Sequence, residues 1–124
     1  MAFSHLNVSS AYSAHYGVSR PEIMVAGAAA MGFEALAITD RDGLYGAVKH
    51  IGACIKAGIF PIAGVSLEVL GQQGSLGRVV VLAHGHNKGA GWAALCRVVS
   101  KAWQNPGRNK HVAIKIEDLA ELTQ

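Results

Sequence analysis

The spacing of apolar and polar positions changes several times along this chain, and each change marks an element. Phe3–Ser9 alternates, with Phe3, His5, Asn7 and Ser9 on one side and Ser4, Leu6 and Val8 on the other. That period predicts a strand. Ser10–Val18 is a loop of Ser, Ala, Tyr, His and Gly. Ser19-Arg20-Pro21-Glu22 reads as a helix start: Ser19 caps, Pro21 suits the first turn, and Glu22 completes a capping box. The Ala-rich helix Pro21–Met31 stops at Gly32. Ala35–Thr39 is a short apolar run closed by Asp40, Arg41, Asp42 and Gly43, which predicts a buried strand and a polar loop. From Leu44 or Tyr45 towards Ala57, the positions Leu44, Ala47, Val48, Ile51, Cys54 and Ile55 form one helical stripe that Gly58 ends.

The second half continues the alternation. Phe60–Val69 predicts a third strand, bent near Pro61 and Gly64. Gly71–Gly77 reads as a flexible turn and Arg78–Ala83 as an apolar fourth strand. After a loop at His84–Gly91, Trp92–Trp103 predicts a helix with Trp92, Leu95, Val99 and Trp103 near one face, which assigns both tryptophans to the core. Gln104–Lys110 is a loop, Val112–Ile116 a short strand, and Glu117–Leu122 a helix with acids in its first turn. Strands alternating with helices argue for an α/β fold with right-handed crossovers, either an open sheet or part of a barrel. Chemistry in such folds sits at the C-terminal ends of the strands. The loops to watch are Ser9–Val18, Asp40–Gly43, the Ser66 region and His84–Gly91. The Thr39-Asp40 pair at a strand end suits a metal or a phosphate.

Composition narrows the picture. A chain of 124 residues fits one domain spanning residues 1–124, with enough length for a real core. Hydrophobic residues make up 51% and charged residues 15%, which excludes a disordered chain. No apolar run reaches a membrane span, and MAFSHLNVSS lacks the pattern of a signal peptide. Cys54 and Cys96 both fall in predicted helices, so two buried thiols in a reduced, cytoplasmic protein are expected. Net charge is +3. The basic residues Arg97, Lys101, Arg108, Lys110, His111 and Lys115 are too sparse for a nucleic-acid stripe and read as a solvated face. No phosphate-loop, paired-cysteine or nucleophile-elbow motif is present.

The loop residues carry a resemblance. F-S-H-L-N-V-S-S-A-Y-S-A-H-Y-G (Phe3–Gly17) resembles the opening motif of PHP (polymerase and histidinol phosphatase) domains, and more narrowly the N-terminal region of bacterial family C DNA polymerases. The likeness continues in order through Arg20–Glu22, Ala35–Val48, Ala57–Gly64, Val80–Ala83, Leu95–Ser100 and Glu117–Ala120. It embraces the replicative polymerase III alpha subunit and its error-prone relative, with D-G-L-Y-G and L-C-R-V-V-S slightly closer to the latter. The resemblance implies roughly the first half of a distorted β/α barrel, with parallel strands and flanking helices. It also implies a cluster of divalent metals such as Zn or Mn in the family, held by an H-x-H pair, an acid in the first loop, the His of T-D-H and a Glu after the third strand.

Each matching ligand position in this chain has changed. H-x-H is Asn7-Val8-Ser9, the acid is Tyr16, T-D-H is Thr39-Asp40-Arg41, and the Glu position is Ser66. Asn and Ser are weak neutral donors, and Arg is no ligand at all. Arg41 also opposes a nearby cation, although it suits a phosphate contact. A metal-free site and no cofactor are therefore expected. A residual metal set of Asp40, His15, Glu68 and His84 is the alternative, with His84 and His86 forming an H-x-H at a strand end. His5, which precedes the ligand pair, reads as structural, and Asp42-Gly43 as a turn. The resemblance further implies a scaffold role with the rest of a polymerase chain as partner, DNA through that parent, and docking of a proofreading exonuclease. A half-barrel leaves an open edge, so self-association of the isolated chain is expected.

Overall fold

Pro21 opens the first regular element. The fold is seen in a computed structural model that describes residues 3–85, 89–104 and 111–124. Along the chain run α1 (Pro21–Ala30), β1 (Ala35–Ile38), α2 (Ala47–Ala57), β2 (Phe60–Gly71), β3 (Gly74–Leu82), α3 (Ala90–Trp103), β4 (Ala113–Lys115) and α4 (Ile116–Leu122). This is the expected α/β architecture with flanking helices. His86, Arg108 and Lys110, singled out in the sequence, lie outside the described residues.

Long, bent β2 is the centre of the sheet. β1 pairs parallel with its first residues, from Ala35 opposite Phe60 to Ile38 opposite Ala63. β4 pairs parallel with Glu68–Leu70. Between them Arg41 forms an isolated parallel bridge to Ser66. β3 differs from the expected all-parallel set, because it returns antiparallel against Gly64–Gly71. Only Gln72 and Gln73 lie between the two strands, so Gly71–Gly77 is mostly ladder and not a flexible turn. A register shift at Val69/Leu70, with Gly74 and Gly77 at positive φ, absorbs the irregularity.

Two clusters make the core. Val65, Leu67 and Val69 of β2 pack with Leu95, Val98 and Ala102 of α3 and with Ile114 of β4. Val25 and Ala28 of α1 pack with Leu36, Cys54 and Ile59. His50 joins the second layer from α2: its Nε2–H donates to the Leu36 carbonyl at 2.8 Å, with the Cys54 Sγ 3.5 Å from the same nitrogen. Burial lowers the His50 pKa below its ordinary value and raises that of the Cys54 thiol.

Four local expectations are corrected. Phe3–Ser9 is extended beside β1 but is not a regular strand. Main-chain bonds join Ala37 N–H to the His5 carbonyl and Thr39 N–H to the Val8 carbonyl, but the Thr39 hydroxyl takes the Val8 N–H where a ladder would use a carbonyl. The capping box does not form. Arg20 is the N-cap, without a side-chain bond, so Ser19 stands one residue too early. Trp92 and Trp103 are 36% and 54% exposed and are not core residues; they stand at the two ends of α3, while Leu95, Val98 and Ala102 between them are buried. Cys96 is half-buried, whereas Cys54 is buried.

Candidate functional site

β1 delivers Thr39 and Asp40 to the sheet's C-terminal edge, and both are buried. Thr39 stitches the first segment in place. Its hydroxyl accepts the Val8 N–H at 2.8 Å and lies 3.2 Å from the Asn7 Oδ1. Asp40 is the centre of a closed network. Its Oδ1 accepts the Ser10 N–H at 2.6 Å and the Ser13 hydroxyl at 2.7 Å. Its Oδ2 accepts the Ser10 hydroxyl at 2.8 Å. The serine oxygens in turn accept the Tyr12 N–H at 3.2 Å and the Arg41 N–H at 2.9 Å. A buried carboxylate is tolerated when donors replace its water, and the Ser10–Ser13 turn supplies them. Gly46, at the start of α2, completes the enclosure, since a Cβ there would stand 2.8 Å from the Asp40 Oδ2.

Arg41 points elsewhere. Its guanidinium lies 3.7 Å from the centroid of the Tyr16 ring, a cation–π pair. Ser66 donates its N–H to the Asp40 carbonyl at 3.0 Å and accepts the Asp42 N–H at 2.9 Å. Arg78, from β3, reaches back over this strand end. It donates to the Ser66 carbonyl at 2.7 Å, to the Ser66 Oγ at 3.2 Å and to the Asp42 Oδ1 at 2.8 Å. Trp103 Nε1–H donates to the Asp42 carbonyl at 2.7 Å, which ties the end of α3 to the same loop.

The structure thus brings Asn7 to Thr39, Tyr16 to Arg41, and Ser66 to the Asp40–Asp42 backbone. Ser9 lies with His5 and Asn7 along a cavity of about 450 Å³ beside Met24, Met31 and Phe33. His15 is exposed, at φ 70°, and Glu68 is half-buried. Among the described residues, no three His, Cys, Asp or Glu side chains are grouped so as to hold a metal ion, so Asp40, His15, Glu68 and His84 do not form such a set. Ser10, Ser13, Arg78 and Trp103 are the site residues that sequence reasoning passed over. The one local signal was two serines three apart in the loop after the first segment.

Strand–loop–helix units on a mixed sheet, with polar loops gathered at the strand ends, define an α/β class of domain. Two solved structures share the fold. An amidohydrolase from Chromobacterium violaceum, described with bound sulfate and no metal, aligns with TM-score 0.57 and 26% identity over 77% of this chain and 32% of its own. A metal-dependent phosphoesterase from Bifidobacterium adolescentis, so described as putative, aligns with TM-score 0.54 and 16% identity over 95% of this chain and 37% of its own. Within that class the chain belongs to the PHP domain family, whose signature matches residues 5–124. Its relatives include the DNA polymerase III alpha subunit of Escherichia coli K12, 42% identical over 82% of this chain. That of Buchnera aphidicola from Acyrthosiphon pisum is 33% identical over 98%. The error-prone DNA polymerase of Anaeromyxobacter sp. strain K is 38% identical over 81%. The chain spans about a tenth of these relatives' length. No helix among the described residues is long and apolar enough to cross a membrane.

Proposed function

We propose that this chain serves as a metal-free PHP domain of a bacterial family C DNA polymerase, a scaffold in replication or repair rather than a phosphoesterase. The observation that carries the reading is the state of Asp40, whose oxygens already accept three donors from Ser10 and Ser13. The other family ligand positions hold Asn7, Ser9, Tyr16, Arg41 and Ser66. That donor set does not fit a cluster of divalent cations, which needs several anionic or imidazole ligands to hold the ions and to acidify bound water. The chain's partner is the remainder of a polymerase in the cytoplasm, with DNA reached through that body and a proofreading exonuclease as a docking candidate. Elemental analysis of the chain purified without a histidine tag tests the reading. Less than about one tightly held metal per chain is expected, with no cleavage of a chromogenic phosphodiester in added manganese. Stoichiometric metal with manganese-dependent cleavage overturns it in favour of a phosphoesterase using an altered ligand set.

A second reading, an anion-binding module, has one observation of its own. Among the described residues no carboxylate forms an ion pair with Arg41, and a structure of this fold from Chromobacterium violaceum is described with sulfate and without metal. Arg41→Ala should then abolish salt-sensitive binding of inorganic phosphate or single-stranded DNA. A wild-type chain that binds neither removes this reading and leaves the scaffold intact.

A further inference from the structure

The outer side of β3 is an open hydrogen-bonding edge, and its polarity can be read from Ser66. Ser66 stands opposite Val80 in the β2–β3 ladder. It spends its N–H on Asp40 and its carbonyl on Asp42, both on the β1 side. Ser66 and Val80 are therefore a non-hydrogen-bonded pair, and so are Gly64–Leu82 and Glu68–Arg78. The main-chain groups of Arg78, Val80 and Leu82 point away from β2. The Ala83 N–H, which reaches inward to the Ala63 carbonyl at 2.8 Å, fits the same alternation. Among the described residues no strand lies on the outer side.

Natural edges are blunted by proline, lysine, bulges or inward charges. β3, GSLGRVVVL, has no Pro and no Lys. Val79, Val80 and Leu82 are 39%, 36% and 38% exposed. Its one charge, Arg78, is already paired with Asp42 at 2.8 Å.

We propose that this edge is a self-pairing surface, on which a second copy of the chain seats its own β3 antiparallel about a two-fold axis at Val80. The register follows from which groups point outward. Val80 meets Val80 of the other copy, and Arg78 meets Leu82, so every outward N–H and C=O finds a partner. A two-fold interface must be self-complementary. This one sets apolar Val80 against its own kind and keeps the two Arg78 guanidiniums apart, each neutralised within its own chain. An axis at Arg78 would oppose like charges and leave the Leu82 groups unpaired. The proposal rests on the sheet edge and not on the loss of the metal site, so either can fail alone.

Light scattering and amide exchange test it together on the 124-residue chain. The chain, 12.9 kDa as a monomer, should reach twice that mass as concentration rises through the micromolar range. The amides of Arg78, Val80 and Leu82 should become protected over the same range. Val80→Pro removes only an outward N–H, so it should give a monomer with unchanged circular dichroism. Val80→Lys, which keeps that N–H but puts a charge on the axis, is the second variant and should also be monomeric. A wild-type chain that stays monomeric and unprotected at these three amides overturns the proposal. So does a dimer that persists in both variants.

Discussion

Removing the Ser13 hydroxyl should be among the most damaging small changes in this molecule. The group donates to the Asp40 Oδ1 at 2.7 Å and accepts the Arg41 N–H at 2.9 Å. A hydrogen bond to a charged partner contributes about 1.5–3 kcal/mol, and an orphaned buried donor costs about 1–3 kcal/mol. The Ser10 N–H still holds the same oxygen, and Arg41 is only half-buried, so the lower ends apply. Ser13→Ala should cost about 2.5 kcal/mol, a large share of the roughly 5–15 kcal/mol that stabilises a typical domain, and should lower the melting temperature by about 10 °C. Urea denaturation followed by circular dichroism, in buffer with a chelator, gives the number. Asp40→Asn removes the charge at the other end, and a double-mutant cycle with Ser13→Ala should show a coupling of about 1–2 kcal/mol. The reasoning is refuted if Ser13→Ala melts within about 2 °C of wild type. It is equally refuted if the cycle shows no coupling, because the Ser13–Asp40 contact would then carry no energy.

Other expectations follow from neighbouring groups. His50 has its pKa lowered by burial, outweighing the Leu36 carbonyl and Asp40. The unfolded chain then takes up a proton near pH 6.5, before the folded one does. Stability should be full above about pH 6.5 and fall as the pH drops below it; His50→Gln should flatten that slope in urea midpoints taken from pH 7.5 to 5. Arg78→Ala unties Asp42 and Ser66, but the pair is partly exposed, at 27% and 34%. It should cost only about 0.5–1 kcal/mol and lose its effect in high salt, with Trp103 fluorescence reporting the freed loop. Gly46→Ala puts a methyl 2.8 Å from the Asp40 Oδ2 and the Ile38 Cδ1. A loss of about 1–3 kcal/mol is expected from the overpacking, and a urea midpoint equal to wild type would contradict the enclosure of Asp40.

Much of the frame was legible because it follows local rules. The stripe from Leu44 to Ile55 predicted α2, and left-handed Gly58 ends it as read, but the helix starts at Ala47 and buries His50, while Val48 and Ile55 of the stripe are exposed. Ala35–Ile38 is apolar and short because it is covered on both faces. The errors came where local pattern and tertiary pairing disagree. Gly74, Ser75 and Gly77 look like a loop, yet β2 holds them in register. Trp103 has helical spacing with Leu95 and Val99, yet it sits at the last turn of α3, over the Asp42 loop and not over the sheet. The Asp40 network was out of reach for a different reason. Ser10 and Ser13 lie 30 and 27 residues from Asp40 in the chain. Nothing within their own segment says which way their hydroxyls point, and only the approach of that segment to β1 decides it. Arg78 was hidden in the same way, since its partners become neighbours only once β3 folds back on β2.

The charges of the assembled site give the strongest physical support for reading it as a scaffold. Asp40 is fully buried and Asp42 half-buried, and Arg41 and Arg78 lie at the same strand end. Asp42 is paired with Arg78, Asp40 is held by the Ser10 and Ser13 donors, and Arg41 stacks on Tyr16, so each charge already has a partner without any added ion. A divalent cation entering next to Asp40 would have to displace the Ser10 and Ser13 donors and would meet the fixed charge of Arg41. The other positions that match family ligands hold neutral Asn7, Ser9, Tyr16 and Ser66. Restoring a metal site therefore needs more than one new ligand. Arg41→His alone supplies an imidazole and removes the repulsion, yet it leaves Asp40 saturated. Histidines at positions 7 and 9 together with Arg41→His should give measurable zinc binding by calorimetry, whereas Arg41→His alone should give none. Tight zinc binding by the single variant would show that the Ser10–Ser13 turn yields readily, and the lock assigned to it would be lost.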